Sequence, residues 1–217
     1  MTRLKEIRVI IFGTGGVGSW CAEALVRTGL RHLTIVDSDR VVDSNCNRQL
    51  MATVKTLGRL KVEVLAERFA EISPEAEVTA LSLRYTAETA EQFHLEDYDY
   101  VVDCIDSVRD KADLILRTTG NARSKLFCSM GAALRTDPTL VRTAEFRNVK
   151  GDALARALRN RFKKEGRFPG RKFRCVYSEE QAAHNLFEGD GNGSLMTVTA
   201  AFGLTLASLV INDLRKL

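Results

Sequence analysis

A doubly wound α/β fold, with a mainly parallel sheet covered by helices on both faces, is what the sequence predicts. Three observations carry that prediction. Strand-like and helix-like segments alternate from residue 7 to about residue 130, the order that builds parallel sheets. The segments 7–12 and 99–103 are rich in valine and isoleucine with little alternation, as expected of strands covered on both faces. Between the first strand and the first helix stands a GxGxxG pattern, with Gly13, Gly15, Gly16 and Gly18. Such glycines permit a tight turn and bring phosphate oxygens against backbone N–H groups at a helix N-terminus.

Taken in order, candidate strands fall at 7–12, 33–37, 77–81, 99–103 and 126–130, with helical periodicity at 17–29, 57–72, 86–93 and 108–120. After residue 130 the character changes. Residues 132–139 read as a turn between extended segments, and 140–146 as an antiparallel addition. Asp152 suits the N-cap of a helix over 153–164. A turn-rich cationic stretch follows at 163–174, then an acidic, glycine-rich segment at 179–193 that reads as a mobile loop, then a final helix over about 195–215. No linker or internal repeat divides the chain. Residues 1–217 are therefore expected to form one domain, with a Rossmann-like part at about 7–135 and a basic-helix and mobile-loop part at about 136–217.

A chain of 217 residues suits one large domain, and 45% hydrophobic with 28% charged residues is ordinary for a globular protein. The net charge of +4 does not by itself demand nucleic acid. Cys21, Cys46, Cys104, Cys128 and Cys175 are widely separated and show no CxxC spacing. That argues for a reducing compartment and against a structural zinc. The first residues are polar, unlike a secretory signal. The weakly polar run Leu195 to Ile211 carries Thr197, Thr199, Thr205 and Ser208, and falls short of the roughly 20 apolar residues a membrane span needs. A buried or interface helix, no stable membrane insertion and a cytoplasmic location are the expectations.

The glycine pattern and Asp37, an acid at the end of the second strand able to accept ribose hydroxyls, suit a nicotinamide enzyme and an ATP user equally. Arg48 and Lys61 tilt the reading. Hydride transfer needs no cations beyond the diphosphate, whereas attack on ATP builds charge on the leaving phosphates. Arg48 would grip phosphate oxygens bidentately, and Lys61 would add a point charge. Asn45 and Gln49 offer neutral donors. Taken singly, each cation reads better as a solvated surface charge. The fourth strand ends in Asp103 and Asp106, and carboxylates at a strand's carboxyl end suit Mg²⁺ beside phosphates. Asp106 is the better metal ligand, because Asp103 serves equally as a cap for the helix beginning near Val108.

The order of these motifs resembles the ubiquitin-activating-type adenylating enzymes, a superfamily that includes activators of sulfur-carrier proteins. The resemblance covers residues 7 to about 135. It implies that Asp37 holds the ribose, with Asp39 in the same nucleotide-binding set, and that Arg48 and Lys61 hold the triphosphate of ATP. Asn45 and Gln49 would support the phosphates, Asp106 would bind Mg²⁺, and Arg48, Lys61 and Asp106 would be catalytic. Further stretches, Gly15–Leu25, Asp137–Thr139, Asp152–Arg156, Cys175–Glu179 and Val198–Gly203, resemble one branch, the dehydratases of threonylcarbamoyladenosine in tRNA. That branch implies ATP-dependent activation of the threonyl carboxylate, ring closure by the carbamoyl group, a modified tRNA as partner and a homodimer. A monovalent cation is left open. The resemblance would also place an arginine ahead of the first strand, reaching a partner subunit's nucleotide. Only Arg3 stands there, and it is not given that role.

From Arg156 to Arg174 the lysines and arginines at 156, 159, 161, 163, 164, 167, 171, 172 and 174 face one acid, Glu165, with Phe162, Phe168 and Phe173 interleaved. Arg159, Lys163, Lys164, Arg167, Arg171 and Lys172 are the candidate tRNA contacts, with an aromatic stacking on an exposed base. The alternative is a solvated face whose phenylalanines turn inward. Cys175 follows the strip, where cations would lower a thiol pKa, and a structural role is its alternative. Cys21 and Cys104 fall in expected core elements, and no cysteine lies at 178–197 to support a sulfur relay. Two rival functions remain. One is adenylation of a sulfur-carrier protein's C-terminal carboxylate, whose agents often carry paired CxxC motifs absent here. The other is a non-catalytic adaptor for a cysteine desulfurase or its sulfur acceptor, which the Arg48, Lys61 and Asp106 set argues against.

Overall fold

Seven strands, β1 (Arg8–Phe12), β2 (His32–Val36), β3 (Glu77–Leu81), β4 (Tyr100–Asp103), β5 (Lys125–Ser129), β6 (Val141–Glu145) and β7 (Arg174–Ser178), join in one sheet of order β3-β2-β1-β4-β5-β7-β6. The computed structural model describes residues 2–120, 123–181 and 193–215. Every strand pair is parallel except β6 with β7. The mainly parallel sheet and its antiparallel addition after residue 130 are thus as the sequence predicts.

The unbroken apolar run of β1 has a direct cause. Val9 and Ile11 pack on one side with Leu25 and Val26 of α1 (Gly18–Thr28), Leu65 and Phe69 of α2 (Lys61–Ile72) and Phe202 and Leu206 of α5 (Met196–Leu214). Ile10 and Phe12 pack on the other with Leu114 and Ile115 of α3 (Val108–Gly120) and Leu158 and Phe162 of α4 (Ala153–Glu165). Successive side chains of a strand point to opposite faces, so a strand with helices on both sides is apolar throughout. Each large side chain buried this way contributes about 1.5–3 kcal/mol.

α5 is long and apolar enough by composition to cross a bilayer. Here it lies against α1, and a Cβ on Gly203 would fall 2.4 Å from Val17 O and 2.8 Å from Trp20 Cβ. α4 begins where expected, because the Asp152 side chain accepts the Ala155 N–H at 2.8 Å.

Four local expectations need correction. α2 starts at Lys61 rather than 57, because Gly58 stands at φ +81° and Leu60 is extended in a bridge with Arg40. Residues 86–93 do not form an α-helix. The Thr89 hydroxyl accepts the Thr86 N–H and donates to Arg84 O, which competes with the helical ladder, and only a 3-10 turn at Ala90–Phe93 follows. β7 lies where no strand was expected, its Cys175–Ser178 portion buried between β5 and β6. Asp103 does not cap α3. It is buried against Lys111, and Ser107 Oγ instead accepts the Asp110 N–H at 3.4 Å. The loop expected at 179–193 lies, over 182–192, outside the described residues.

Candidate active site

The carboxyl ends of β1, β2, β4 and β5 open on a cavity of about 910 Å³, within the size range of small-molecule sites. Gly13, Gly15, Gly16, Asp37, Asp39, Asn45, Arg48, Gln49, Lys61 and Asp106 all line it. Gly18 lies just behind, as the first residue of α1.

The glycines divide by purpose. Gly13 has φ +84°, and a Cβ there would sit 2.8 Å from Cys104 O. A Cβ on Gly18 would sit 1.8 Å from Gly13 O, an overlap no side-chain movement can relieve. These two close the turn. Gly15 and Gly16 form cavity wall instead. A Cβ on Gly15 would meet Gln49 Nε2 at 3.6 Å, and one on Gly16 would meet Arg48 Cγ at 3.2 Å. α1 has no side-chain N-cap; Ser19 N–H donates to Gly15 O at 3.1 Å, and the positive end of the helix is turned to the cavity through Gly16 and Val17, where it suits an anion.

Asp37 fixes this loop from β2. Its Oδ2 accepts from Thr14 N at 2.7 Å and Thr14 Oγ1 at 3.0 Å, and its Oδ1 accepts from Asp39 N at 2.9 Å. A carboxylate has lone pairs beyond these, enough to receive ribose hydroxyls as well. Lys61, 5% exposed at the start of α2, donates to Asp39 Oδ2 at 2.8 Å. Asp39 therefore reaches the nucleotide set by holding Lys61. The 3-10 turn Asp43–Asn45 brings in the neighbouring group. Asn45 O accepts from the N–H of both Arg48 and Gln49, and Trp20 Nε1 donates to Arg48 O at 3.1 Å. Arg48 Nη1 donates to Ser44 O and Asn47 Oδ1 at 2.8 and 2.9 Å, which leaves its other N–H groups without a partner among the described residues. Gln49 Oε1 is buried without a partner among the described residues, a polar atom left for a ligand.

Asp106 sits exposed on the loop between β4 and α3 and makes no hydrogen bond or ion pair among the described residues. A single unpaired carboxylate at a strand end, opposite a phosphate cradle, fits the sparse protein ligation of Mg²⁺. Beneath it lies a group that sequence reasoning missed. Lys111 Nζ is 2.9 Å from Asp103 Oδ1, and both side chains are fully buried. Lys111 also donates to Ile105 O at 2.9 Å, while Asp103 Oδ1 accepts the Ile105 N–H at 3.0 Å. Burial pushes Asp103 above the usual carboxylate range, opposed by Lys111 and the Ile105 amide. Burial would lower Lys111, but Asp103 outweighs it and holds the ammonium above its ordinary value. Lys111 thus stays protonated, and the pair clamps the backbone at Ile105, next to Asp106. One signal was readable in the sequence: Lys111 lies on the apolar stripe Val108, Ala112 and Ile115, where a cation needs a buried partner.

The basic strip is less uniform than its sequence. Arg159 Nη1 donates to Phe146 O and Val149 O at 3.3 and 3.1 Å, and Arg171 binds Thr118 O, Thr119 O and Ser124 O. Both hold the fold. Lys172 lies 3.5 Å from Glu145. Lys163, Lys164 and Arg167 are exposed and make no ion pair among the described residues. Phe162 and Phe173 turn into the core, whereas Phe168 is 61% exposed. Cys175 is fully buried, and burial raises its thiol pKa. The expected lowering is corrected: burial in the sheet outweighs the lowering by Lys111 and by Arg159, a cation of the strip.

Fold and site define a Rossmann-like nucleotide-binding protein whose cradle is followed by cations and a free carboxylate. The chain belongs to the ThiF family, whose pattern matches residues 1–216. It is 41% identical to tRNA threonylcarbamoyladenosine dehydratase of Bacillus subtilis over 177 residues, covering 82% of this chain and 68% of that one. It is 35% identical to the enzyme of that name from Haemophilus influenzae over 232 residues, covering 100% of this chain and 88% of that one. The crystal structure of E. coli tRNA N6-threonylcarbamoyladenosine dehydratase in complex with ATP superposes with a TM-score of 0.90 at 35% identity, over 99% of this chain and 88% of that one. The same enzyme in complex with AMP gives 0.91.

Proposed function

We propose that this protein carries out the ATP-dependent dehydration of threonylcarbamoyladenosine in tRNA. One observation carries the reading. Arg48, Lys61, Gln49 and Asp106, spread over nearly sixty residues of chain, meet the glycine turn at a single cavity, in a homologue of an enzyme solved with both ATP and AMP.

The chemistry balances without a protein nucleophile. A carboxylate oxygen of the threonyl group attacks a phosphoryl group of ATP, and the phosphate bond beyond it breaks. The carbamoyl group then attacks the activated carbonyl, and the phosphorylated oxygen departs. One oxygen leaves the substrate on phosphate and one proton leaves the carbamoyl group; counted from the neutral acid, the substrate has lost one water. Arg48 and Lys61 stabilise the charge that grows on the leaving phosphates. Asp37 and the glycine turn hold ribose and phosphates, and Asn45 shapes the turn that aims Arg48 and Gln49. Asp106 would hold Mg²⁺, which would neutralise phosphate charge. The second step is intramolecular, so orientation supplies most of what it needs.

Lys163, Lys164, Arg167 and Phe168 support tRNA binding in this reading, as exposed cations beside an exposed ring. The protein acts as a homodimer in the cytoplasm, and Leu195 and Met196 at the start of α5 and Leu204 midway along it, each at least 40% exposed, supply apolar surface for a second copy. The test is incubation of the protein with ATP, Mg²⁺ and tRNA bearing the open nucleoside. Mass spectrometry of the digested tRNA should show loss of one water. An unchanged nucleoside mass, with ATP binding intact, would sink the proposal.

A further inference from the structure

Arg135 is a cavity-lining cation that the nucleotide set does not use. Only 5% of the residue is exposed, and its Nε and Nη1 are buried without a hydrogen-bond partner among the described residues. A guanidinium stays charged at any physiological pH and is costly to withdraw from water unpaired. An unfilled one in a cavity wall marks a place prepared for an anion.

The segment that carries it is held from several sides. Gly131 N–H donates to Asp152 Oδ2 at 3.0 Å, and Leu134 N–H donates to Gly193 O at 2.8 Å. Thr136 and Asp137 donate backbone N–H groups to Glu180, and Thr136 adds its hydroxyl at 2.7 Å. Leu134 stands at φ +58°, a left-handed backbone that leucine adopts only where its surroundings impose it. Glu180 is the acid that feels the charge of Arg135. Its oxygens are taken up by Thr136 and Asp137, and Arg135 Nε and Nη1 stay unpaired.

Position separates the two anions that would suit Arg135. Arg48 and Lys61 reach the cavity from the segments following β2, on the ribose side of the glycine turn. Arg135 follows β5, two strands from β1 in the sheet order and beyond Asp106, a separation of about 10 Å across the strands. The triphosphate has its cations on the first side. The side of Arg135 is where a second reactant would enter.

We propose that Arg135 receives the substrate's carboxylate, gripping it through paired N–H···O contacts and presenting it to the nucleotide. The inference rests on the dehydratase reading above, in which that group is the threonyl carboxylate. No proton moves to or from Arg135. It is a binding and specificity residue, which separates an adenosine bearing a carboxylate from one without.

The test measures equilibrium binding of two tRNAs to the full-length protein, with a non-hydrolysable ATP analogue present. One carries threonylcarbamoyladenosine and the other plain adenosine at the same site, so their phosphates are identical. The unaltered protein should prefer the modified tRNA. Arg135→Gln should reduce that preference by about ten- to a hundred-fold, the range for a hydrogen bond to a charged group, while affinity for the ATP analogue stays close to that of the unaltered protein. A preference retained in Arg135→Gln overturns the assignment, and a loss of nucleotide affinity alongside it would give Arg135 to the triphosphate instead. Absence of any preference in the unaltered protein would overturn the dehydratase reading itself, and this inference with it. If Arg135→Gln fails to fold, Arg135→Lys decides: it keeps the charge but not the fork, so a reduced preference supports the proposal and a full one refutes it.

Discussion

Replacing Lys111 by methionine isolates the buried pair beneath the candidate metal ligand. Lys111 and Asp103 are both fully buried and 2.9 Å apart, and Lys111 also satisfies Ile105 O. The substitution keeps the volume but leaves Asp103 with only the Ile105 N–H and the Cys128 thiol, whose sulfur is 3.5 Å away. Removing one partner of a buried ion pair costs about 3–5 kcal/mol. For a chain of this size that lowers Tm by roughly 6–20 °C. Denaturant titration at neutral pH measures it as a fall in midpoint with the slope kept. A pH series adds a signature. Burial raises Asp103, and without Lys111 the folded state takes up a proton more readily than the unfolded chain. Stability of the variant therefore falls as pH rises through the Asp103 range, and its deficit shrinks on acidification. The double variant Asp103→Asn, Lys111→Met should recover most of the loss, because a neutral pair carries no stranded charge. A Lys111→Met protein within about 1 kcal/mol of the original at neutral pH would refute this account.

Three further outcomes follow from named contacts. Gly18→Ala, whose Cβ would lie 1.8 Å from Gly13 O, should lose nucleotide binding and lower Tm, whereas Gly15→Ala, 3.6 Å from Gln49 Nε2, should fold normally; equal Tm values for the two would contradict the division of the glycines. Neutralising Lys163 and Lys164 should flatten the slope of log affinity for tRNA against log salt by roughly 1.4–1.8 and leave ATP affinity alone, and an unchanged slope would return the strip to solvent. Burial alone would raise Glu23, but hydrogen bonds from Arg68 and Arg27 win and hold it below the usual carboxylate range. Glu23→Gln should therefore cost about 1–2 kcal/mol above that range, and the difference should fade as pH falls through the depressed Glu23 value. A difference that persists in acid would mean packing rather than charge.

The sheet was legible because its signals are local. The apolar run of β1 and the glycine turn each carry their meaning within a few residues, and a parallel sheet follows from their order. β7 was not legible. Arg174–Ser178 is short, partly polar and preceded by a cationic turn, and it becomes a strand only because β5 and β6 offer edges on both sides. Thr86 and Thr89 misled in the other direction, since a helical pattern cannot show that hydroxyls will take the backbone groups first. In the site, the cavity-lining residues of the nucleotide set were readable because motif order encodes them, whereas Arg135, which also lines the cavity, stands in no such motif. Their supports were not, because Lys111 on Asp103 and Asp39 on Lys61 are pairs that only the crossing of strands and helices brings together. Cys175 shows the same limit, since nearness in sequence to cations says nothing of burial.

These supports share a physical task. In the proposed reading the cavity takes a triphosphate, so its cations must be in place before the anion arrives, and unpaired cations at short range repel. The structure gives Lys61 a partner that is itself exposed, Asp39, with a side chain 66% accessible beside a lysine side chain 6% accessible. Such a pair gains little from its own attraction in water, so a polyanion can share or displace Asp39 at small cost, while Lys61 is already aimed. Lys111 is the opposite design. Its partner is sealed from water and no ligand can reach it, so the ion pair cannot be exchanged and serves only to fix the backbone that carries Asp106. One lysine–aspartate pair is thus suited to binding and the other to holding still. Burial of the carboxylate, rather than the identity of either residue, is what separates them.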